Sequence, residues 1–221
     1  MTTLAIIGAG PGLGAAVARR FGREGFSIAL ISRNQQRLDD LAETLRGEGL
    51  DARGFAADVR DPDALTRALE LATRQLGPIE VLQYSPLPEK HFMRPVLETT
   101  AADLVGPVEM SVYGPAVAVH QVVPGMRFLG KDRGTILFVN GGAAVKPGRG
   151  VTGGSVAFAG QAAYAQLLHE VLGEEGIAVS QLVIGGAIVE GDDEKDPGVL
   201  ADTLWQLHVD RTTFRVQVSA D

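Results

Sequence analysis

The sequence contains no cysteine, which excludes disulfides, thiolate metal sites and a cysteine nucleophile. At 221 residues no such staple is needed, because a chain of this length buries roughly 70% of its unfolded surface. An excess of positive charge is also missing. The 20 Lys and Arg stand against 27 Asp and Glu, for a formal charge of −7. With no basic stripe to follow a phosphate backbone, no nucleic-acid partner is expected. No apolar run is long enough to span a bilayer, and Thr2-Thr3 ahead of an apolar strand does not read as a signal peptide. The expectation is a soluble, cytoplasmic protein with no membrane partner. Internal repeats and linkers are absent as well, so residues 1–221 read as one domain.

What is present starts at Leu4-Ala5-Ile6-Ile7-Gly8-Ala9-Gly10-Pro11-Gly12-Leu13-Gly14. This reads as a short strand, a tight glycine turn and a helix starting at Ala15. Such an opening holds a dinucleotide, with the pyrophosphate against the helix N-terminus and glycines where Cβ atoms would block its approach.

Short apolar runs then alternate with amphipathic stretches. Strands are expected at Leu4–Gly8, Ser27–Ser32, Ala52–Ala57, Ile79–Tyr84, Thr135–Val139, Ala178–Ile184 and Phe214–Val218. Helices are expected from Ala15 to Glu24, Gln35 to Arg46, about Asp61 to Leu76, and Ser155 to about Glu175, with a last one from Pro197 to about Val209. A long helical stretch from Ala101 to Phe128 carries Pro107 and Pro115, so a break or kink is expected near them. Residues 85–100 read as an irregular loop and Gly141 to Gly154 as a glycine-rich one. Strand–helix alternation at this spacing means an α/β fold, a mostly parallel sheet with helices on both faces and ligands at the strands' C-terminal ends.

The glycines fit Gly-x-x-x-Gly-x-Gly at Gly8, Gly12 and Gly14. They are joined by Asp58-Val59 after the third strand, Gly114-Pro115, Pro124-Gly125-Met126, and Gly134-Thr135-Ile136 opening the fifth strand. This ordered set resembles the short-chain dehydrogenase/reductase family over essentially the whole chain. The resemblance implies a Rossmann-like three-layer αβα sandwich with a seven-stranded sheet in the order 3-2-1-4-5-6-7. It also implies a nicotinamide cofactor: Gly8, Gly10, Gly12, Leu13 and Gly14 would hold the pyrophosphate, and Asp58 and Val59 would cup the adenine. An Asp after a strand also serves as a turn cap. Ser85, Gly185 and Ile188 complete the implied cofactor set, with Ile188 toward the carboxamide.

The residues ending the second strand bear on which cofactor fits. An acid there would accept from a ribose 2′-hydroxyl and repel a 2′-phosphate. Ser32, Arg33 and Asn34 stand there instead, which favours NADP(H) over NAD(H), with Arg33 pairing the phosphate. The alternative is an exposed Arg at a helix entrance.

The family's carbonyl chemistry uses a Tyr, a Lys four residues on, a Ser and an Asn. By the resemblance these positions fall on Ala157, Gln161, about Gly141, and Ser111. No Tyr-x-x-x-Lys occurs anywhere. Ordinary carbonyl reduction by that route is therefore not expected, although the cofactor loop survives. Other groups could supply an acid, a base or a hydrogen bond: Tyr84, His91, Ser111, Asn140, Ser155 and Gln161. For Tyr84 the other reading is core packing, and for His91 simple exposure. Asp192, Asp193 and Glu194 lack the spacing of a metal site and read as a solvated loop, so no metal is expected. Two functions stay open. One is an enzyme with non-standard acid–base residues, doing atypical reduction, cyclisation, isomerisation or elimination on a small molecule. The other is a silent protein that senses NADP(H) or binds a partner. The helices near 101–128 and 155–175 imply a homodimer or homotetramer.

Overall fold

Alternation along each strand builds the two cores. In β1 (Thr3–Ile7) every residue is buried; Leu4 and Ile6 enter one apolar cluster while Ala5 and Ile7 enter the other. A strand covered on both faces belongs in the middle of a parallel sheet. The computed structural model describes residues 1–218, and the last three residues of the expected span lie outside the described residues. The strands are β1, β2 (Ser27–Ser32), β3 (Ala52–Ala56), β4 (Ile79–Tyr84), β5 (Thr135–Gly141), β6 (Ala178–Ile184) and β7 (Arg215–Val218). They form one sheet in the order β3-β2-β1-β4-β5-β6-β7, with every pairing parallel.

Helices α1 (Leu13–Gly22), α2 (Gln35–Gly47) and α7 (Pro197–Asp210) cover the face that holds Leu4 and Ile6. The opposite face is covered by α3 (Pro62–Leu76), α5 (Gly114–Phe128) and α6 (Thr152–Glu174), with α4 (Ala101–Val108) leading into α5. Local signals start several of these helices. Asn34 accepts from the Arg37 amide at 3.0 Å, and Asp61 accepts from the Ala64 amide at 2.9 Å ahead of Pro62.

Most boundaries shift by one or two residues from the sequence reading, and three shifts bear on the site. The first helix begins at Leu13 instead of Ala15, and α6 begins at Thr152 instead of Ser155. β5 runs on to Gly141. Within residues 85–100 the chain makes 3₁₀ turns at Lys90–Phe92 and Val96–Glu98.

The break expected in the long helix is a π turn at Glu109–Tyr113, between the two prolines. In that turn the Gly114 amide donates to the Glu109 carbonyl, five residues back. The Met110 carbonyl would need the amide of Pro115 in the same pattern, and proline has none. The Tyr84 hydroxyl donates to it instead. Gly114 makes this possible, since a Cβ there would lie 2.4 Å from the Tyr84 oxygen.

At the other end of the sheet His208 sits among Phe21, Phe26 and Trp205, with Nδ1 2.9 Å from the Thr135 hydroxyl. Burial pushes its pKa down to about 4, against the opposing pull of Glu80 and with some help from Arg211. The unfolded chain therefore takes up this proton first as pH falls. Stability is full above the ordinary histidine value of about 6.5 and is lost as pH drops toward 4, by on the order of 2 kcal/mol after discounting for residual solvent. Urea unfolding of wild type and His208→Gln at pH 7.5 and pH 4 checks this. The variant is expected to lose less stability across that interval, and equal losses would refute the assignment.

Candidate functional site

A cleft of about 1020 Å³ opens at the C-terminal ends of β1, β2 and β3, beside the switch point where the strand order reverses between β1 and β4. Seven of the residues singled out for a cofactor line it: Gly8, Gly10, Ser32, Arg33, Asn34, Asp58 and Val59. The floor is shaped by Gly8, whose φ is +92° and whose missing Cβ would lie 2.6 Å from the backbone of Ser85 and Pro86. Nothing stands within 4 Å of where a Cβ on Gly10 or Gly12 would be. Gly12 caps α1 with no side-chain hydrogen bond, and the first turn of α1 carries no acid. The Ala15 and Ala16 amides donate to the Gly10 and Gly12 carbonyls at 2.9 and 3.1 Å, which leaves the Leu13 and Gly14 amides to meet an anion.

The other six lie outside the cleft lining. Gly12 and Leu13 form the start of α1, and Gly14 packs on Ala9, with only 3.1 Å between its Cβ position and the Ala9 Cα. Ser85 donates its amide to the Ile7 carbonyl at 2.9 Å and accepts from Gln83 at 2.8 Å. The Gly185 amide donates to the Val218 carbonyl at 2.7 Å, and Ile188 is exposed.

The charges around the cleft are partly committed. Asn34 caps α2, and Asp58 accepts from the Arg60 amide at 3.0 Å, as a turn cap does. The Arg33 guanidinium pairs with Glu89, which arrives from the loop after β4. Arg37, in the first turn of α2, lines the cleft and makes no ion pair among the described residues. Sequence reasoning passed over both Arg37 and Glu89. Arg37 was within reach, being four residues beyond Arg33 and thus at the same helix entrance. Nothing local to Glu89 signals its partner 56 residues away.

The candidate acid–base residues fall in different places. Tyr84 is fully buried in the core, and its hydroxyl is spent on the Met110 carbonyl. Burial, aided by the Asp58 charge, raises its pKa far above the ordinary phenol value, so it stays protonated and faces no ligand. His91 is exposed, with Nδ1 3.3 Å from a Glu89 oxygen. Ser111 is buried in the π turn, and Ser155 accepts from the Gly148 amide at 3.0 Å.

Asn140 and Gln161 do come together. Asn140 donates to the Gln161 carbonyl oxygen and accepts from Gln181 at 2.6 Å, while Gln181 accepts from Arg215 at 2.6 Å. This chain of amides runs from β7 through β6 and β5 to α6. A glutamine inside the apolar run of β6 was its visible sign. Such a chain can orient and donate, but no amide in it ionises near neutral pH.

Ala157, one turn before Gln161, is buried. Close by, Phe92, Met110 and Phe158 form a small apolar cluster. Gly106 makes room for the Phe92 ring, since a Cβ there would lie 2.7 Å from it. Two backbone bonds join the loops on this side, from Thr152 to the Arg94 carbonyl at 3.1 Å and from Val96 to the Arg149 carbonyl at 3.2 Å. Elsewhere, Asp192 accepts from the Glu194 and Lys195 amides at 2.9 and 2.8 Å, the pattern of a turn. No helix among the described residues is long and apolar enough to cross a membrane.

The family model described as short chain dehydrogenase matches residues 2–196. The chain belongs to this family of dehydrogenases. A short chain dehydrogenase of Pseudocercospora fijiensis (strain CIRAD86) is 28% identical over 200 residues, covering 86% of this chain and 60% of its own. The matches span less than half of several other curated relatives. Among solved structures, a short-chain dehydrogenase from Rhodopseudomonas palustris superposes with a TM-score of 0.86 at 27% identity, covering 100% of this chain and 99% of that one. The NADPH-bound short chain oxidoreductase from Pseudomonas aeruginosa PAO1, described as containing an atypical catalytic center, gives 0.86 at 19% identity over 99% and 95% of the two chains.

Replacing Tyr84 by Phe leaves the buried Met110 carbonyl without a donor. The expected cost is about 2 kcal/mol, or roughly 4–8 °C in melting temperature, read by thermal unfolding. Dinucleotide affinity of the variant is expected to stay within about twofold of wild type. A large loss of affinity with unchanged stability would return Tyr84 to the site.

Proposed function

We propose that this chain is an NADP(H)-binding oxidoreductase of the short-chain class that works without the ionisable Tyr–Lys pair. The observation that carries the reading is the β2 end of the cleft, where Arg33 and Arg37 stand and Ser32 replaces an acid. The rest of the cleft fits the group. The uncapped α1 N-terminus suits a pyrophosphate, the open space beside Gly10 and Gly12 admits it, and Asp58 and Val59, on the cleft lining, are the residues we assign to the adenine. When bound, the cofactor supplies hydride chemistry. The protein's own part on the far side is positional: Asn140 fixes the buried Gln161 amide, the group we assign to orient a small polar substrate. In a reduction the proton that accompanies the hydride would come from water; in a cyclisation, isomerisation or elimination no hydride moves and the proton would come from the substrate itself. A solved oxidoreductase of the same fold is described as containing an atypical catalytic center, which supports a departure from the usual residues but says nothing of the reaction.

A second reading is favoured by one observation, the Phe92 cluster filling the side next to Ala157. It makes the chain a silent NADP(H) sensor or partner subunit. In either case we infer a one-domain cytoplasmic protein. The apolar groove between α5 and α6, lined by Val117, Val123 and Leu168, supports a homodimer or homotetramer; sedimentation as a monomer would overturn that.

Titration of the pure protein with NADPH and NADH, followed by nicotinamide fluorescence and then by oxidation with a panel of carbonyl compounds, tests the reading. Arg33→Ala is expected to weaken NADPH binding about 10- to 100-fold and to leave NADH nearly unchanged. Binding of neither dinucleotide would sink the cofactor assignment. Tight binding without turnover on any carbonyl would favour the sensor or a non-redox reaction.

A further inference from the structure

We propose that Glu89 sets how strongly the cleft selects a 2′-phosphate over a 2′-hydroxyl, by competing with the phosphate for Arg33. The inference rests on the NADP(H) reading and goes beyond it, because it assigns a specificity role to a carboxylate on the loop after β4.

The geometry is that of a held competitor. Glu89 and Arg33 both line the cleft and pair across its mouth, one from the loop after β4 and the other from the end of β2. The second Glu89 oxygen lies 3.3 Å from Nδ1 of His91. This carboxylate is not a wandering surface group. Its own carbonyl accepts from the Phe92 amide at 3.0 Å, and Phe92 is buried in the apolar cluster with Met110 and Phe158. Beyond Phe92 the loop is tied to residues 149–152 by the Arg94 and Val96 backbone bonds. On the other side, Pro86 packs on the Gly8 turn. Glu89 is thus fixed at both flanks and delivered to Arg33.

Two consequences follow for a ligand. A 2′-phosphate reaching Arg33 must displace Glu89 or lie beside it, and like charges at that separation oppose one another. A ribose 2′-hydroxyl meets no such opposition, because it can donate to the Glu89 carboxylate while the ion pair stays intact. Glu89 therefore supplies, from the loop after β4, the acid that the end of β2 lacks. The pull of Arg33 toward NADPH and the opposing charge of Glu89 together leave the cleft less selective than Arg33 alone would make it.

The test is a double-mutant cycle on dinucleotide binding, read as dissociation constants for NADPH and NADH with wild type, Glu89→Gln, Arg33→Ala and the double variant. Glu89→Gln is expected to tighten NADPH about fivefold and to leave NADH unchanged or slightly weaker. In the Arg33→Ala background the same substitution is expected to gain less than about twofold for NADPH, leaving only the relief of direct charge repulsion. Glu89→Ala should move the NADPH-to-NADH ratio in the same direction, and melting temperatures verify that each variant is folded. The proposal is overturned if Glu89→Gln leaves the ratio unchanged, or if its full gain persists without Arg33. The parent reading fails separately. If wild type binds neither dinucleotide, both fall; if Arg33→Ala alone leaves NADPH at wild-type affinity, the phosphate anchor is wrong and Glu89 has nothing to compete for.

Discussion

The close approach of the Gly8 turn to the Ser85–Pro86 backbone is the constraint on which the site depends. β1 is gripped past its own end from both sides. Gly8 and Ala9 donate to the Ile31 carbonyl of β2 at 2.9 and 3.0 Å, and Ser85 donates to the Ile7 carbonyl from the β4 side at 2.9 Å. A side chain at Gly8 would collide with that neighbour and would also need a left-handed backbone. With the turn locked, α1 can begin at Leu13 with its amide end facing the cleft, and Gly14 can settle onto Ala9. The same lock sends the chain after β4 over the cleft, and that path carries Glu89 to Arg33. One tight contact thus shapes the floor, the helix end and the rim.

The sheet was legible because burial on both faces writes itself into short apolar runs, and all seven strands fall where those runs are. The glycine loop was legible for the same kind of reason, a backbone requirement tied to a residue type. The start of α6 was not. Thr152-Gly153-Gly154 is a poor helix sequence, and a run of glycines reads as a loop. In the fold Gly153 serves proximity rather than freedom: a Cβ there would lie 2.8 Å from both the Phe92 carbonyl and the Pro107 ring. Tertiary packing overrides local propensity at that position, and no local pattern announces it.

Partners were harder to read than positions. Arg33 was recognisable as a cation at the end of β2, but the carboxylate that meets it comes from a loop without periodicity. Asn140 and Gln161 were both singled out, yet their meeting depends on the register of β5 against β6 and on the seat of α6. Gln181, opposite Phe138 in that register, completes the link to Arg215. Side-chain chemistry is written locally, whereas its pairing is written in the topology.

The two ends of the site are built on different physics, and that contrast bears on what the chain can do. The β2 end is open and charged, with two arginines and a competing glutamate, so ligand affinity there can be set by electrostatics and tuned by salt. The α6 end is apolar and filled by Phe92, Met110 and Phe158, with polar groups that stay neutral. On the proposed reading, a site of this kind would hold its cofactor chiefly through the nucleotide half, where binding energy is remote from any reacting atom. Such energy can serve chemistry only if it orders the other half. The loop that bears Glu89 also bears Phe92, three residues on, so the charge at the nucleotide end and the apolar plug at the far end belong to one short segment.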